Sequence, residues 1–423
     1  MSLEGQILYW RKIMEESYID ELLLKHPRVS RFVAVKIEMQ RRGVVLTPAA
    51  LSRVDPSIHQ TKVRSFSREQ HRDVPSSLLL RDGTSVVVRC NEQYENPLIV
   101  DVDQEGELSV FDEYNRQLEK VHFWPKPLYY DYKTSKGTPM WQIINARPQR
   151  LEMNPLQYCH LWDYKGNGCK FCSIAGTAAT VEKPQLLDLE EIDETLSVAL
   201  REKGRYTNIM ITGGMDMSGA EMLDHEVQRY IDVLQIVGKH FSTPRFPSQL
   251  IGAAYSSRQI QRLYSETGLM SYTANLEVLN PKLFAWICPG KDRFIGYEAW
   301  KERLYQAAEL MGPGCVNTGI VAGVELAKPF GYSSEEEAIN QTLSEAEEIM
   351  KHGVDVVSGV WRISDHSIFR GQKQASANYY LSIAEGLLEL RIRYGVLSDI
   401  DTYRRCGNHP DTDLQRECFV EGR

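Results

Sequence analysis

The chain has 423 residues, of which 42% are hydrophobic and 25% charged, with a formal net charge of −8. This length implies two or three domains, or one barrel with an appendage, and the mix is that of an ordinary globular protein. The acidic balance argues against a general nucleic-acid binder. The want of any run of about 18 apolar residues argues against a transmembrane helix, and the early acids and aromatics against a secretory leader.

In chain order, the first 150 residues read as a small α+β module. Ile7, Leu8, Trp10, Ile13, Met14, Ile19, Leu22 and Leu23 repeat with helical spacing. A polar stretch from about 55 to 75 reads as a loop. Ser85–Arg89, Pro97–Val102 and Glu107–Phe111 then read as strands, separated by turn signals at Asn96-Pro97 and Gly106. The aromatics Phe123, Trp124, Tyr129, Tyr130, Tyr132 and Trp141 read as half-buried core, with a pocket lining as the alternative.

From about residue 151 to 365 the pattern alternates. Strands are expected at Asn208–Thr212, Gln249–Ala253, Ser271–Val278, Val316–Ala322 and Val354–Val360. Helices are expected at Leu189–Arg201, Ala220–Val237, Ser257–Glu266, Tyr297–Met311 and Ser334–His352. With a strand before the cysteine cluster this makes about six βα units. The fold expected is therefore α/β, a partial (β/α)6 or full TIM-type barrel, with chemistry at the C-terminal ends of the strands. Residues 366–423 read as a C-terminal helical extension.

Eight cysteines in a chain of this length are too sparse for a disulfide scaffold. The compartment expected is reducing cytoplasm, where clustered cysteines read as metal ligands. Cys159, Cys169 and Cys172 stand in C-x9-C-x2-C spacing, with Gly166 and Gly168 in the long gap, where glycine lets the chain wrap around a centre. A cluster used only for electron transfer is normally closed by four cysteines. Three thiolates on a [4Fe-4S] cluster leave one iron open to a small chelator such as S-adenosyl-L-methionine. The competing reading is zinc held by the same cysteines and His160, in a barrel protein acting as a hydrolase or binding module. Against it, Cys159 and His160 are adjacent and point apart in an extended backbone.

With these residues the sequence resembles the radical S-adenosylmethionine superfamily over roughly residues 150–365. Its cysteine spacing is similar to the variant in the catalytic subunit of the Elongator complex, though no acetyltransferase-like domain follows residue 400. Four segments carry the likeness: Phe171 between the last two cysteines; Ile211-Thr-Gly213-Gly214, followed by Met215 and Asp216 where the family has Glu; Ala274-Asn-Leu-Glu277 with Asn280-Pro and Cys288-Pro-Gly-Lys291-Asp-Arg293, similar to biotin synthase-like and lipoyl synthase-like members; and Gly319-Ile-Val321-Ala-Gly323-Val-Glu325, one residue shorter than the family's pattern.

The resemblance implies that Phe171, Gly213, Gly214, Glu277, Arg293, Gly319, Val321 and Gly323 contact S-adenosyl-L-methionine, with Lys291 as an alternative to Arg293. It implies reductive cleavage of that cofactor to a 5′-deoxyadenosyl radical, which takes hydrogen from a small-molecule or peptide-bound substrate, small-molecule and cofactor pathways being favoured. It also implies an external one-electron donor of flavodoxin or ferredoxin type. Arg362, Asp365, His366 and Arg370 are candidate substrate contacts after the last strand. Cys288 and Cys315 read as core thiols, with active-site thiols as the alternative, and Cys406 with Cys418 as too few for a second cluster unless Cys90 joins them.

Overall fold

The structure, a computed structural model, describes residues 18–61, 74–75, 77–87, 96–147, 149–174, 186–397 and 407–419. Two sheets organise it. The first contains β1 (Val44–Leu46), β2 (Ser77–Leu80), β3 (Ser85–Val87), β4 (Leu98–Val102), β5 (Leu108–Phe111) and β6 (Gln117–Phe123), in the order β1-β4-β5-β6-β2-β3. Only β1 and β4 pair in parallel; the other pairings are antiparallel. Asn96 and Gly106, both at positive φ, turn the chain into and out of β4 as their sequence signals imply. The expected N-terminal helix is seen as Tyr18–Lys25; its earlier residues, most of the polar loop, Val88, Arg89, Cys90 and Cys406 lie outside the described residues.

The second sheet contains β7 (Ile144–Arg147), β8 (Arg150–Leu156), β9 (Asn208–Gly213), β10 (Ser248–Gly252), β11 (Ser271–Ala274), β12 (Val316–Ala322) and β13 (Val354–Val360), in reverse sequential order β13 to β7. Strands β8 to β13 are parallel throughout, and β7 folds back antiparallel on β8. This is the partial (β/α)6 form of the α/β expectation: β7 and β13 are the two edges, so the sheet does not close into a full barrel. Helices 257–266 and 297–311 coincide with their expected spans. The helix expected from 220 begins at Asp224, because Gly219 and Leu223 both take positive φ and make the preceding segment a turn. Strand β11 stops at Ala274, short of Val278, because Glu277 adopts φ +70°.

An open parallel sheet leaves edge groups that need partners. At β13, Asp411 of the helix Pro410–Phe419 accepts the Ser358 N–H at 3.1 Å and an Arg391 hydrogen bond at 2.5 Å, while Arg391 also reaches Asp355 at 2.7 Å. The helix Arg31–Arg42 of the first module packs on the same helix, with Lys36 ion-paired to Asp413 and both side chains fully buried. At the other edge, Gln60 donates to the Ala146 carbonyl of β7 at 2.7 Å. The Tyr129 and Tyr130 hydroxyls bond Ile144 O and Asn145 Oδ1, each at 2.9 Å. Those aromatics are therefore packing that ties the first module to β7. The module touches both edges of the open barrel. No helix among the described residues is long and apolar enough to cross a membrane.

Candidate metal and cofactor site

The C-terminal ends of β8 to β13 form one mouth, and the cysteine loop leaves β8 into it. Cys159 sits in extended backbone just before one turn of 3-10 helix, His160–Trp162. The chain then turns at Gly166 (φ +85°). Gly168 passes under the indole of Trp162, where an added Cβ would come within 2.6 Å of the ring. Cys172 N–H closes a tight turn on Cys169 O at 3.1 Å, as the two-residue spacing implies. The loop is pinned from across the mouth. Lys170 N–H bonds Ile287 O at 2.9 Å, Gly290 N–H bonds Asn167 O at 3.0 Å, and Lys170 Nζ bonds Trp286 O at 2.5 Å.

The loop carries all three cysteines to the same end of the sheet, Cys169 buried and Cys159 and Cys172 partly so. Burial pushes the Cys159 thiol up, and the nearby Cys169 adds to that. Burial pushes Cys172 up to about 12, with Cys169 and Cys159 contributing. Cys169 is held down by a hydrogen bond from Cys288, with the Lys291 ammonium also favouring thiolate. Backbone N–H groups already face the sulfurs: Met215 and Leu161 toward Cys159, and Ile174 toward Cys172 at 3.4 Å. This donor set, three thiols at one end of the sheet with amides aimed at them, fits a thiolate-bound cluster. Among the described residues no three His, Cys, Asp or Glu side chains could share one metal ion, whereas a cubane takes each thiolate to a different iron. His160 is held through one ring nitrogen. Its Nδ1 accepts the Met217 N–H at 3.1 Å and lies 3.3 Å from Asp216 Oδ1, and its ring stacks on Tyr158.

The glycine pair after β9 packs directly against this loop. A Cβ on Gly214 would stand 1.8 Å from Tyr158 O and 2.6 Å from Cys159 Cβ, and one on Gly213 would stand 2.7 Å from Leu156 O. Asp216, the expected stand-in for the family's Glu, is committed elsewhere, to the Tyr158 hydroxyl at 2.6 Å and to Ser218. Its burial would raise its pKa, but these hydrogen bonds outweigh that and hold it low.

Glu277 belongs to the mouth, but its partner comes from within the chain. Lys291 Nζ lies 2.7 Å from Glu277 Oε1 and 2.8 Å from Asn275 O, over the Trp300 ring. Lys291 thus supplies the charge partner that a buried Glu277 needs. Arg293, expected at the cofactor, is exposed and lies over Phe294; the short helix Pro289–Phe294 turns Lys291 inward and Arg293 to solvent.

Gly319 N–H bonds Asn275 Oδ1 at 2.9 Å, and its carbonyl takes the Glu277 N–H at 3.0 Å. A Cβ there would meet Asn275 Oδ1 at 2.7 Å. Val321 N–H bonds Glu277 O at 2.8 Å. Gly323 (φ +98°) is engaged elsewhere, its N–H bonding Glu325 at 2.9 Å and the Tyr379 hydroxyl at 3.2 Å. Phe171 is half-buried against the core. Arg362 bonds Asn408 at 3.2 Å, while Asp365, His366 and Arg370 are exposed.

Glu226 was not visible in the sequence pattern. It sits fully buried in the first turn of its helix and takes three hydrogen bonds: from Asp216 N–H at 2.7 Å, Ala253 N–H at 3.3 Å and the Tyr255 hydroxyl at 2.5 Å. It thereby ties the loop after β9 to the loop after β10. Burial raises its pKa to about 7, against these hydrogen bonds.

No protein-family model matches the chain. Among curated proteins it is 24% identical over 277 residues to the bacteriochlorophyllide c C-7(1)-hydroxylase of Chlorobaculum limnaeum, covering 62% of this chain and 65% of that protein. The chain thus spans a little under two thirds of that relative's length. Among solved structures it is similar to methylornithine synthase, at 14% identity and a TM-score of 0.39 over 60% of this chain and 71% of that one. It is also similar to a radical SAM methyltransferase from Sphaerobacter thermophilus, at 15% identity and a TM-score of 0.41 over 75% and 82%. A third is the cobalamin-dependent S-adenosylmethionine radical enzyme OxsB, at 12% identity and 0.33 over 75% and 46%.

Proposed function

We propose that this chain is a radical S-adenosylmethionine enzyme, in which Cys159, Cys169 and Cys172 hold a [4Fe-4S] cluster with one iron left for S-adenosyl-L-methionine. The observation that carries this reading is the placement of three cysteines, on one loop whose Cys172 N–H closes on Cys169 O, at the C-terminal mouth of six parallel strands. When bound, the cluster would supply the electron that cleaves the sulfonium bond of S-adenosyl-L-methionine, releasing the radical that takes hydrogen from substrate.

The chain's own residues do the rest. The loop 159–172 sets the spread of the thiolates, and Gly214 lets the strand end approach it. The backbone of Gly319 and Val321 is held by Asn275 and Glu277, and we assign it to the cofactor. Phe171 is the residue we assign to adenine. The substrate is a small molecule or a peptide-bound group. Similarity to a protein named as a hydroxylase of bacteriochlorophyllide c supports redox chemistry on a small molecule over hydrolysis by a zinc protein. Cluster thiolates call for a reducing cytoplasm, and the cluster for a one-electron donor of flavodoxin or ferredoxin type.

Anaerobic purification tests the reading. Brown protein with about four irons and matching sulfide per chain that forms 5′-deoxyadenosine with dithionite supports it. Cys159→Ala, Cys169→Ala and Cys172→Ala should each abolish both loading and cleavage. Colourless protein with one tightly held zinc would overturn it.

A further inference from the structure

An exposed apolar patch adjoins the cysteine loop. Phe330 and Ile368 are 67% and 58% exposed, and they are not scattered singly. Phe330 packs edge-on against Trp286 with ring centroids 5.2 Å apart, and Trp286 lies 5.1 Å from Phe369, the chain neighbour of Ile368. The patch is bonded to the cysteine loop through Lys170. Lys170 Nζ donates to Trp286 O at 2.5 Å, and the Phe369 N–H donates to Lys170 O at 3.2 Å. It therefore draws on the segments after β11, β12 and β13 and abuts the residue next to Cys169.

Cations surround it. Lys328, Arg370 and Lys373 are exposed. The Gln372 side chain latches the two loops that carry them, through the Lys328 N–H and carbonyl, each at 2.9 Å. Lys328 Nζ bonds a neutral group, Tyr332 O, at 2.8 Å. None of the three cations forms an ion pair with a described residue, whereas Arg28, Lys136 and Arg258 elsewhere on the surface are paired with Glu389, Asp188 and Glu221. Local acid is scarce. Asp365 is the one carboxylate from 361 to 374, and Glu325, the one from 323 to 334, is buried. A chain of net charge −8 thus keeps unneutralised positive charge around an apolar centre beside its cysteine loop.

That combination fits an acidic protein held briefly: opposite charge steers the encounter, and the apolar centre excludes water from the contact. A contiguous exposed apolar patch marks an interaction surface, unlike single exposed residues. A substrate must come to the reacting carbon. An electron donor needs only to come near the cluster, and this patch is bonded to the loop that would hold it.

We propose that Trp286, Phe330 and Ile368, ringed by Lys328, Arg370 and Lys373, dock a small acidic electron-carrier protein of the flavodoxin class. The carrier's reduced flavin gives up one electron, the cluster gains it, and no bond forms or breaks. This rests on the cluster assignment proposed above.

The test is binding, with flavodoxin as the probe and calorimetry at low and high salt as the measurement. Wild type should bind at low salt and weaken as salt screens the charges. Lys328→Glu combined with Lys373→Glu should weaken binding by about tenfold or more at low salt and flatten the salt dependence. Lys328→Gln combined with Lys373→Gln should fall between. Phe330→Ser should weaken binding at both salt concentrations alike. In parallel, formation of 5′-deoxyadenosine is driven either by reduced flavodoxin or by dithionite, which needs no docking. The charge-reversed variant should be slower than wild type with flavodoxin and equal to it with dithionite. Unchanged affinity in the charge-reversed variant would overturn the proposal. So would an equal loss of rate with both reductants, or a wild type that works with dithionite and has no measurable affinity for flavodoxin. A wild-type protein that takes up no iron removes the cluster assignment itself, and the proposal with it.

Discussion

Lys291 and Glu277 meet at 2.7 Å with their side chains only 11% and 13% exposed, across a bend that Glu277 makes at φ +70°. Burial alone would lower the lysine's pKa, but the Glu277 carboxylate outweighs it and the ammonium is held above its ordinary value. Removing one partner leaves the other charge poorly solvated, so Glu277→Ala should cost about 3–5 kcal/mol. Lys291 has a folded pKa above its unfolded one, so its stabilising share is complete below about pH 10.4 and is lost as pH rises past the folded value. Urea titrations of wild type and Glu277→Ala should therefore differ by a constant amount from pH 6 to 9 and converge in strong alkali. Equal stability at neutral pH would show the pair to be idle.

Gly214 gives a sharper steric forecast. Its added Cβ would meet a backbone carbonyl at 1.8 Å and Cys159 Cβ at 2.6 Å, neither of which is the end of a flexible side chain. Gly214→Ala must push Cys159 or the end of β9 aside, at about 1–3 kcal/mol. Iron per chain should fall by more than half while far-ultraviolet circular dichroism stays as in the wild type. Full iron loading would mean that the loop yields easily.

The barrel half was legible because its signals are local. Val316–Ala322 and Val354–Val360 are apolar runs of strand length, and both form over the expected residues. Ser256 with Gln259 makes a capping box that starts the helix Ser257–Glu266 where its pattern begins. The cysteine spacing singled out the loop after β8, which lies at the C-terminal ends of the strands. What escaped is long-range. Nothing near Glu277 in sequence indicates that Lys291 will neutralise it, and nothing near Cys288 indicates Cys169. The three donors of Glu226 come from two separate loops. In the first module β1, β2 and β6 were also missed; β6, QLEKVHF, carries Glu119 and Lys120 among its apolar residues and breaks the alternation that marks a strand.

Glu226 should leave a mark on the pH dependence of stability. Its pKa rises from 4.5 to about 7 on folding, chiefly through burial. Between these values the folded protein keeps a proton that the unfolded chain has lost, so stability falls as pH rises from about 4.5 to 7 and levels off above. The full effect is about 3 kcal/mol, from the size of the shift. Glu226→Gln cannot ionise, so the difference between variant and wild type should move in the variant's favour by that order across the same window. Melting temperatures at pH 5 and pH 8 are the measurement, and a pH-independent difference would mean the carboxyl titrates normally.

The junction between the two sheets can be dissected through Lys36 and Asp413, an ion pair with neither side chain exposed. Transfer of such a pair from water is costly, and the attraction between the partners repays it only while both are present. Lys36→Met alone strands the Asp413 carboxylate, and Asp413→Leu alone strands the ammonium. Each should destabilise the protein by about 3–5 kcal/mol, whereas the double replacement, with two apolar side chains of similar size, should fall within about 1–2 kcal/mol of the wild type. Arg416, 3.7 Å from Asp413, will not be fully compensated in the double variant, which sets the residual loss. Because the helix Arg31–Arg42 meets the β13 edge at this point, each single variant should also be cut faster by protease between the first module and β7. Equal protease resistance in the single variants, with their urea midpoints lowered, would show that the pair stabilises the chain without holding the module to the edge.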